Sequence, residues 1–244
     1  MKTPLFPVTI LAGGLATRLR PISERIPKSL IDVNGEPFVA HQLHLLRRAG
    51  IEDVVICVGH LGERIKIAVG DGERFQLRVT YSFDGPTLLG TAGAIRNALD
   101  LLKDPFFVLY GDSYLDCDYR RIQTAFEESC QPALMTVFRN DGRWDRSNVE
   151  LVDGRIVDYD KARQSPQMHY IDYGLGVFRQ SVFEFLPAGV PCDLAQLYQA
   201  LARVGKLAAC QVDQRFYEIG SFEGLAETRR YLAARPQHRR NNEE

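Results

Sequence analysis

Over its first 112 residues the chain alternates apolar runs of strand length with longer stretches patterned for helix. This rhythm limits its possible folds more than any other feature. The apolar runs are VTILAG from Val8, DVVICVG from Asp53, LRVTYSF from Leu77 and PFFVLYGD from Pro105. Between them lie VAHQLHLLRRAG from Val39, LGERIKIAVG from Leu61 and TAGAIRNALDLL from Thr91. In the first of these, Val39, Leu43 and Leu46 share one helical face and Gly50 supplies the C-terminal cap. Strand and helix in this alternation imply an α/β fold, a mostly parallel sheet with helices on both faces. The runs at 53–58 and 105–110 are almost wholly apolar, as strands covered on both faces require.

After Asp118 the pattern changes. A helix at about 119–129 precedes the strand ALMTVFR, and NVELVDGRIVDYDK reads as a hairpin turning at Asp153-Gly154. The strand YGLGVFR follows, then helical stretches at 181–186 and 193–204, then LAACQVD and FYEIG. The last helix opens on Ser221 as its N-cap. With no linker and no internal repeat, the chain reads as one domain over residues 1–235 and a polar tail over 236–244.

Net charge is −1, which gives no field for nucleic acid or a membrane surface, and no apolar run is long enough to span a bilayer. An anionic ligand must therefore be held by local groups. The apolar N-terminal stretch reads as the first strand rather than a signal peptide. The five cysteines are scattered and lack paired spacing, as expected for buried or partly buried free thiols in a cytoplasmic protein. Oligomeric state is not readable from this sequence.

TILAGGLATRLRP, from Thr9 to Pro21, breaks an apolar run at Gly13-Gly14. In an open parallel sheet this point lies beyond the carboxyl end of a strand, where ligands bind. Paired glycines let the backbone approach a ligand, and successive N–H groups in such a turn can cradle phosphate oxygens. The phosphate-loop pattern G-x-x-x-x-G-K-[ST] is absent. So is G-x-G-x-x-G, although Asp32 stands at about the distance of a ribose-binding acid. The segment does carry arginines, and PKSL at Pro27–Leu30 adds a lysine, a set suited to a polyphosphate.

LAGGLATRLRP, PKSL and the following Gly35-Glu36-Pro37 together resemble the sugar-phosphate nucleotidyltransferases, or nucleotide-sugar pyrophosphorylases. The family opens on L-A-G-G-x-G-T-R-L-x-P, followed by P-K-x-L and G-x-P. The resemblance implies a Rossmann-like mixed sheet of the nucleotide-diphospho-sugar transferase type. It also implies that Leu11, Ala12, Gly13, Gly14 and Thr17 bind the nucleotide. Ala16 departs from the motif's glycine, and the backbone is expected to differ from the family there. LGTAGAI resembles the family's base- and ribose-contacting loop, placing Gly90, Thr91 and Ala92 against the nucleobase. Small residues opening a tightly packed helix explain the same pattern equally well.

Further matches extend the resemblance over most of the chain. Asp112 in YGD matches the family's metal-binding aspartate, and Glu218 in FYEIGSFEGL falls where a second carboxylate ligand is expected. The implied cofactor is Mg²⁺, which takes hard oxygen ligands. Asp116 and Asp118 match no motif position and read as solvated or capping. Asp160-Lys161 is similar to the family's E-K-P, and Asp172-Tyr173-Gly174 to its N-A-G. These matches imply that Lys161 pairs with the sugar phosphate and that Asp160, Asp172, Tyr173 and Gly174 line the sugar pocket.

The implied reaction is attack of a sugar 1-phosphate on the α-phosphorus of a nucleoside triphosphate. Arg18 would steady the leaving pyrophosphate, Lys28 the α-phosphate and Lys161 the incoming phosphate, with Asp112 placing the metal. LLGTAGAI is most similar to the guanylyltransferases acting on heptose or mannose 1-phosphates, which makes GTP the expected donor. Uridylyltransferases acting on sugars such as N-acetylmuramate 1-phosphate share the layout and stand as the alternative, as does a non-catalytic homologue that only binds sugar nucleotides.

Overall fold

The structure is a computed structural model that describes residues 3–15 and 17–235. Ala16 and the tail at 236–244 lie outside the described residues. The first half runs β1 (Val8–Leu11), a one-turn helix α1 (Ile22–Arg25), two-residue strands β2 (Asp32–Val33) and β3 (Glu36–Pro37), and α2 (Phe38–Ala49). It continues through β4 (Asp53–Val58), α3 (Gly62–Val69), β5 (Arg78–Phe83), α4 (Gly90–Ala98), β6 (Phe106–Tyr110), β7 (Ser113–Tyr114) and α5 (Tyr119–Ser129). The second half comprises β8 (Ala133–Arg139), β9 (Val149–Val152), β10 (Arg155–Tyr159), β11 (Tyr170–Phe178), α6 (Leu194–Arg203), β12 (Leu207–Val212), β13 (Tyr217–Glu218) and α7 (Phe222–Ala233).

Nine strands form one sheet in the order β5-β4-β1-β6-β11-β8-β12-β10-β9. The β5-β4-β1-β6 half is parallel, as the early alternation implies. The other half is mixed: β11 runs antiparallel to both β6 and β8, β12 is parallel to β8, and the β9–β10 hairpin closes the edge. Successive residues of each strand face opposite sides. Ile10, Val54 and Ile56 therefore pack with α2, α3 and α5, while Val55, Cys57 and Val108 pack with α4 and α6. A third, smaller core of Leu19, Ile31, Phe38, Tyr114, Ile219 and Leu225 joins the N-terminal loop to the β7–β13 pair and α7.

Local signals behave as their chemistry requires. Gly50 ends α2 at φ 96°, and Asp153 and Gly154 turn the hairpin at φ 49° and 75°. Ser221 accepts the Gly224 N–H at 2.9 Å, and Asp118 caps α5 by accepting that of Arg121 at 3.0 Å. The helix expected at 181–186 is instead a single 3-10 turn, Gln180–Val182. Too few residues precede Pro187 to propagate a helix, and Gln180 is held by Asp104 and by the Leu99 and Leu102 carbonyls. All five cysteines are free, but Cys130 is exposed, contrary to expectation, because it ends α5 in the left-handed region at φ 52°.

The parallel half brings β1 and β6 so close at their carboxyl ends that Gly111 has no room for a side chain. A Cβ there would stand 2.5 Å from the Leu11 carbonyl oxygen and 3.1 Å from Ala12 Cα, both backbone atoms. Gly111→Ala is expected to destabilise the fold by about 1–3 kcal/mol through overpacking, read as a lower urea midpoint at unchanged m-value.

Candidate active site

Beyond the carboxyl ends of β1, β4 and β6 opens a cleft of about 270 Å³. It is lined by Leu11, Ala12, Gly13 and Gly14 after β1, by Gly90 and Thr91 at the start of α4, and by the Lys28–Asp112 pair. It also takes in Leu88 and Tyr110, which flank motif residues, and Asp84, which no motif marked.

At the polar end, Lys28 Nζ donates to Asp112 Oδ2 at 2.6 Å. Burial pushes the Asp112 pKa up, but the charge and hydrogen bond of Lys28, helped by the Ser113 hydroxyl, outweigh it and hold the carboxyl below its usual range. The β7–β13 pair sets Glu218 opposite Ser113, and Ile219 N–H donates to the Asp112 carbonyl at 2.9 Å. That pairing carries Glu218 to the same end of the cleft. Its carboxylate accepts from the Ser221 hydroxyl at 2.8 Å and from the Gly220 N–H. A Cβ on Gly220 would collide with Glu218 Oε2 and lie 3.0 Å from Lys28 Nζ and 3.1 Å from Arg18 Nη2. Glu218 and two cations thus crowd around one glycine, and one of those cations holds Asp112. Arg18 is aimed there because its neighbour Leu19 is fully buried in the third core. Thr17, beside it, is exposed and outside the cleft wall.

One positioning residue gave no signal beyond a polar side chain on an apolar helical face. Gln42 is fully buried in α2, and its amide donates to the Tyr110 and Ser113 carbonyls at 3.1 and 2.8 Å. It clamps the backbone on both sides of Gly111-Asp112.

The base-end residues behave less uniformly. Gly90 and Thr91 face the cleft, whereas Ala92 is fully buried and is not among its walls. Bulk at Gly90 is excluded by the protein itself, since a Cβ would stand 2.7 Å from the Cys192 carbonyl oxygen. The Thr91 hydroxyl is engaged with Asp193 at 3.0 Å and with the Leu194 N–H at 2.7 Å, at the start of α6. Close packing against Cys192 accounts for the absence of a side chain at Gly90. On the same side, Asp84 Oδ2 accepts the Leu89 N–H at 3.1 Å, and its other oxygen takes no donor among the described residues. Burial raises the Asp84 pKa against that single hydrogen bond.

On the second-half side, Lys161 Nζ lies 4.8 Å above the ring of Tyr110 and 3.5 Å from Asp172 Oδ2. Asp172 is 3% exposed and also accepts from the Tyr159 hydroxyl at 3.0 Å and the Gly174 N–H at 3.0 Å. Gly174, at φ 95°, makes the irregularity in β11 that allows this turn-back. Two members of the expected sugar set are placed otherwise. Tyr173 points to the opposite face of β11 and packs in the core between Phe138 and Phe216. Asp160 closes its own turn by accepting the Ala162 and Arg163 N–H groups at 2.8 and 2.9 Å.

Asp112 and Glu218 are hard-oxygen donors, as Mg²⁺ prefers. Among the described residues no third His, Cys, Asp or Glu joins them in a metal-holding group. A pair of carboxylates completed by substrate oxygens is an ordinary Mg²⁺ donor set, so the residues present fit this ion.

The sheet order and cleft place the molecule in the nucleotide-diphospho-sugar transferase fold. The structure of HddC from Yersinia pseudotuberculosis, complexed with GMP-PN, superposes with a TM-score of 0.76 at 24% identity, covering 93% of this chain and 100% of that one. A family model described as nucleotidyl transferase matches residues 8–234, and the chain belongs to that family of enzymes. Among curated relatives, an N-acetylmuramate alpha-1-phosphate uridylyltransferase from Neisseria meningitidis is 29% identical, over 92% of this chain and 97% of its own. A D-glycero-alpha-D-manno-heptose 1-phosphate guanylyltransferase from Campylobacter jejuni is 29% identical, over 86% and 93%. Other relatives are longer, and the chain spans 59% of the length of one of them.

The Lys28–Asp112 pair has a pH signature. With a depressed folded pKa, Asp112 stabilises the fold above its unfolded value of about 3.9, and the contribution is lost as pH falls through the folded pKa. In Lys28→Ala the largest opposition to burial is gone and the folded pKa rises, so the stability deficit against wild type is expected to be large at pH 7. Urea melts should show it narrowing as pH falls, first through the variant's raised pKa and then, below about 4, as wild type loses its own contribution.

Proposed function

We propose that this chain transfers GMP from GTP to a sugar 1-phosphate of the heptose or mannose type, giving a GDP-sugar and pyrophosphate. The carrying observation is Asp84, whose carboxylate lies beside Gly13 and has one oxygen without a partner among the described residues. The Watson–Crick edge of guanine presents two adjacent N–H donors, which a carboxylate accepts together. Uracil presents one N–H between two carbonyls and would bring oxygen against oxygen. The Campylobacter relative supports the same reading.

In this reading the backbone of Gly13-Gly14 and the Arg18 guanidinium hold the leaving pyrophosphate. Lys28 neutralises the α-phosphate, and Lys161, kept over Tyr110 by Asp172, receives the sugar phosphate. An oxygen of that phosphate attacks the α-phosphorus in line, forming one P–O bond as the α–β P–O bond breaks. The nucleophile is already anionic, so no side chain need remove a proton. Positioning and charge neutralisation supply the rate. Mg²⁺, when held by Asp112 and Glu218, would neutralise charge on the phosphates. The free thiols suit a reducing compartment, and we place the activity in the cytoplasm.

A matrix of nucleoside triphosphates against sugar 1-phosphates, read by pyrophosphate release, tests the proposal. GTP with a heptose or mannose 1-phosphate is expected to turn over fastest. Preference for UTP would establish the uridylyl alternative, and binding without turnover the non-catalytic one. Asp84→Asn is expected to lower kcat/KM for GTP by about tenfold or more and to leave UTP unharmed. Lys28→Ala and Asp112→Ala are each expected to lose most turnover.

A further inference from the structure

The two lysine–carboxylate pairs are built differently. Lys28 Nζ closes on Asp112 Oδ2 at 2.6 Å, whereas Lys161 Nζ stands 3.5 Å from Asp172 Oδ2 and 3.4 Å from the Tyr110 hydroxyl. Asp172 Oδ2 already has another donor, the Tyr159 hydroxyl at 3.0 Å, and Oδ1 accepts the Gly174 N–H at 3.0 Å. Tyr159 is 1% exposed in the core shared by β10 and α6, its ring edge-on to that of Tyr198 at 5.8 Å. Burial, and after it the Asp172 charge, keep this hydroxyl protonated, as a donor to a carboxylate must be. Lys161 is 45% exposed by contrast, and Tyr110 beside it lines the cleft. The buried carboxylate thus has two donors fixed by the fold and a third, the ammonium, on a flexible and half-exposed arm.

We infer that Tyr159 is a positioning residue that makes Lys161 releasable: its hydroxyl keeps Asp172 Oδ2 hydrogen-bonded when the ammonium turns from that carboxylate to the phosphate of a sugar 1-phosphate. A buried charged oxygen left without a partner is far more costly than an ordinary hydrogen bond is favourable. Without the hydroxyl, Lys161 would be the only donor on Oδ2 among the described residues, and drawing it toward a phosphate would strip that oxygen. With the hydroxyl in place, each oxygen of Asp172 keeps one hydrogen bond after the lysine has moved, one from Tyr159 and one from the Gly174 N–H. Tyr159 therefore acts through Asp172 on Lys161 and need not touch substrate. This assignment rests on the proposed nucleotidyl transfer, in which Lys161 receives the sugar phosphate, and adds to it a residue that no motif marked.

Tyr159→Phe removes one oxygen and keeps the ring that packs on Tyr198, and its expected signature is one-sided. KM for the sugar 1-phosphate that wild type prefers should rise about fivefold or more, while KM for the nucleoside triphosphate stays within about twofold of wild type. In an Asp172→Asn background, which has no buried charge to strip, the same exchange should add no further rise. A hydroxyl that serves only the fold would move both KM values together or neither, and would do so in either background. Equal shifts in the two KM values, no shift, or a full effect persisting beside Asn at 172 each overturn the assignment. So does a Tyr159→Phe variant that shows no folding transition in urea, because the hydroxyl would then be needed before any substrate arrives. If wild type turns over no sugar 1-phosphate with any nucleoside triphosphate, the proposed function fails and this assignment falls with it. Turnover by wild type with an unaffected Tyr159→Phe overturns the Tyr159 assignment alone.

Discussion

The 2.6 Å contact between Lys28 and Asp112 is the interaction on which the rest of the cleft depends. Neither group is cheap to hold at the mouth of the sheet alone. Burial by itself would drive Asp112 toward its neutral form, and Lys28 supplies the charge that prevents this. The pair also ties the N-terminal loop to the end of β6. The third core, through Ile31, Tyr114 and Ile219, packs beneath the same elements and keeps the tie in register.

Glu218 reaches this point by backbone rather than by side-chain attraction. The two-residue β7–β13 pair fixes it opposite Ser113, next to Asp112. The residues leading into α7 then bind its carboxylate through the Gly220 N–H and the Ser221 hydroxyl, while Ser221 also caps the helix. A helix N-terminus favours a carboxylate, so one residue's placement and one helix's start support each other. The longer glutamate arm is accommodated by the absence of side chains at Gly220 and Gly224, where a Cβ would collide with it.

The parallel half of the sheet and the polar end of the cleft were legible in the sequence because both are written in contiguous patterns. The apolar runs of β1, β4 and β6 state their own burial, and Arg18, Lys28, Asp112 and Glu218 sit in recognisable motifs. Asp84 and Gln42 were not legible, because a lone polar residue says nothing about what it faces until the fold turns it there. Tyr173 was misjudged for a reason that strand geometry supplies. It adjoins Asp172 on β11, and neighbours on a strand face opposite sides, so the two could not both point into one pocket. Asp160 closes its own turn, as a short carboxylate before two free N–H groups readily does, and the sequence alone did not show this.

The two lysines share a design that the motifs alone do not express. Lys28 is held by Asp112, and Lys161 by Asp172 together with the face of Tyr110. In the proposed transfer each cation would stand oriented against a carboxylate before a phosphate arrives, which lowers the side-chain freedom lost on binding. The carboxylates temper the charge at each lysine, so that in this reading an incoming phosphate would meet a placed dipole rather than a bare ammonium. For Asp172 the tempering is firm, since its side chain is 3% exposed and already accepts from Tyr159 and the Gly174 backbone. Its position matches an asparagine in the family motif, and the charge it brings has a use in the structure as the anchor of Lys161. The aspartate and the lysine belong to one arrangement, and exchanging either alone would leave the other's charge without its partner.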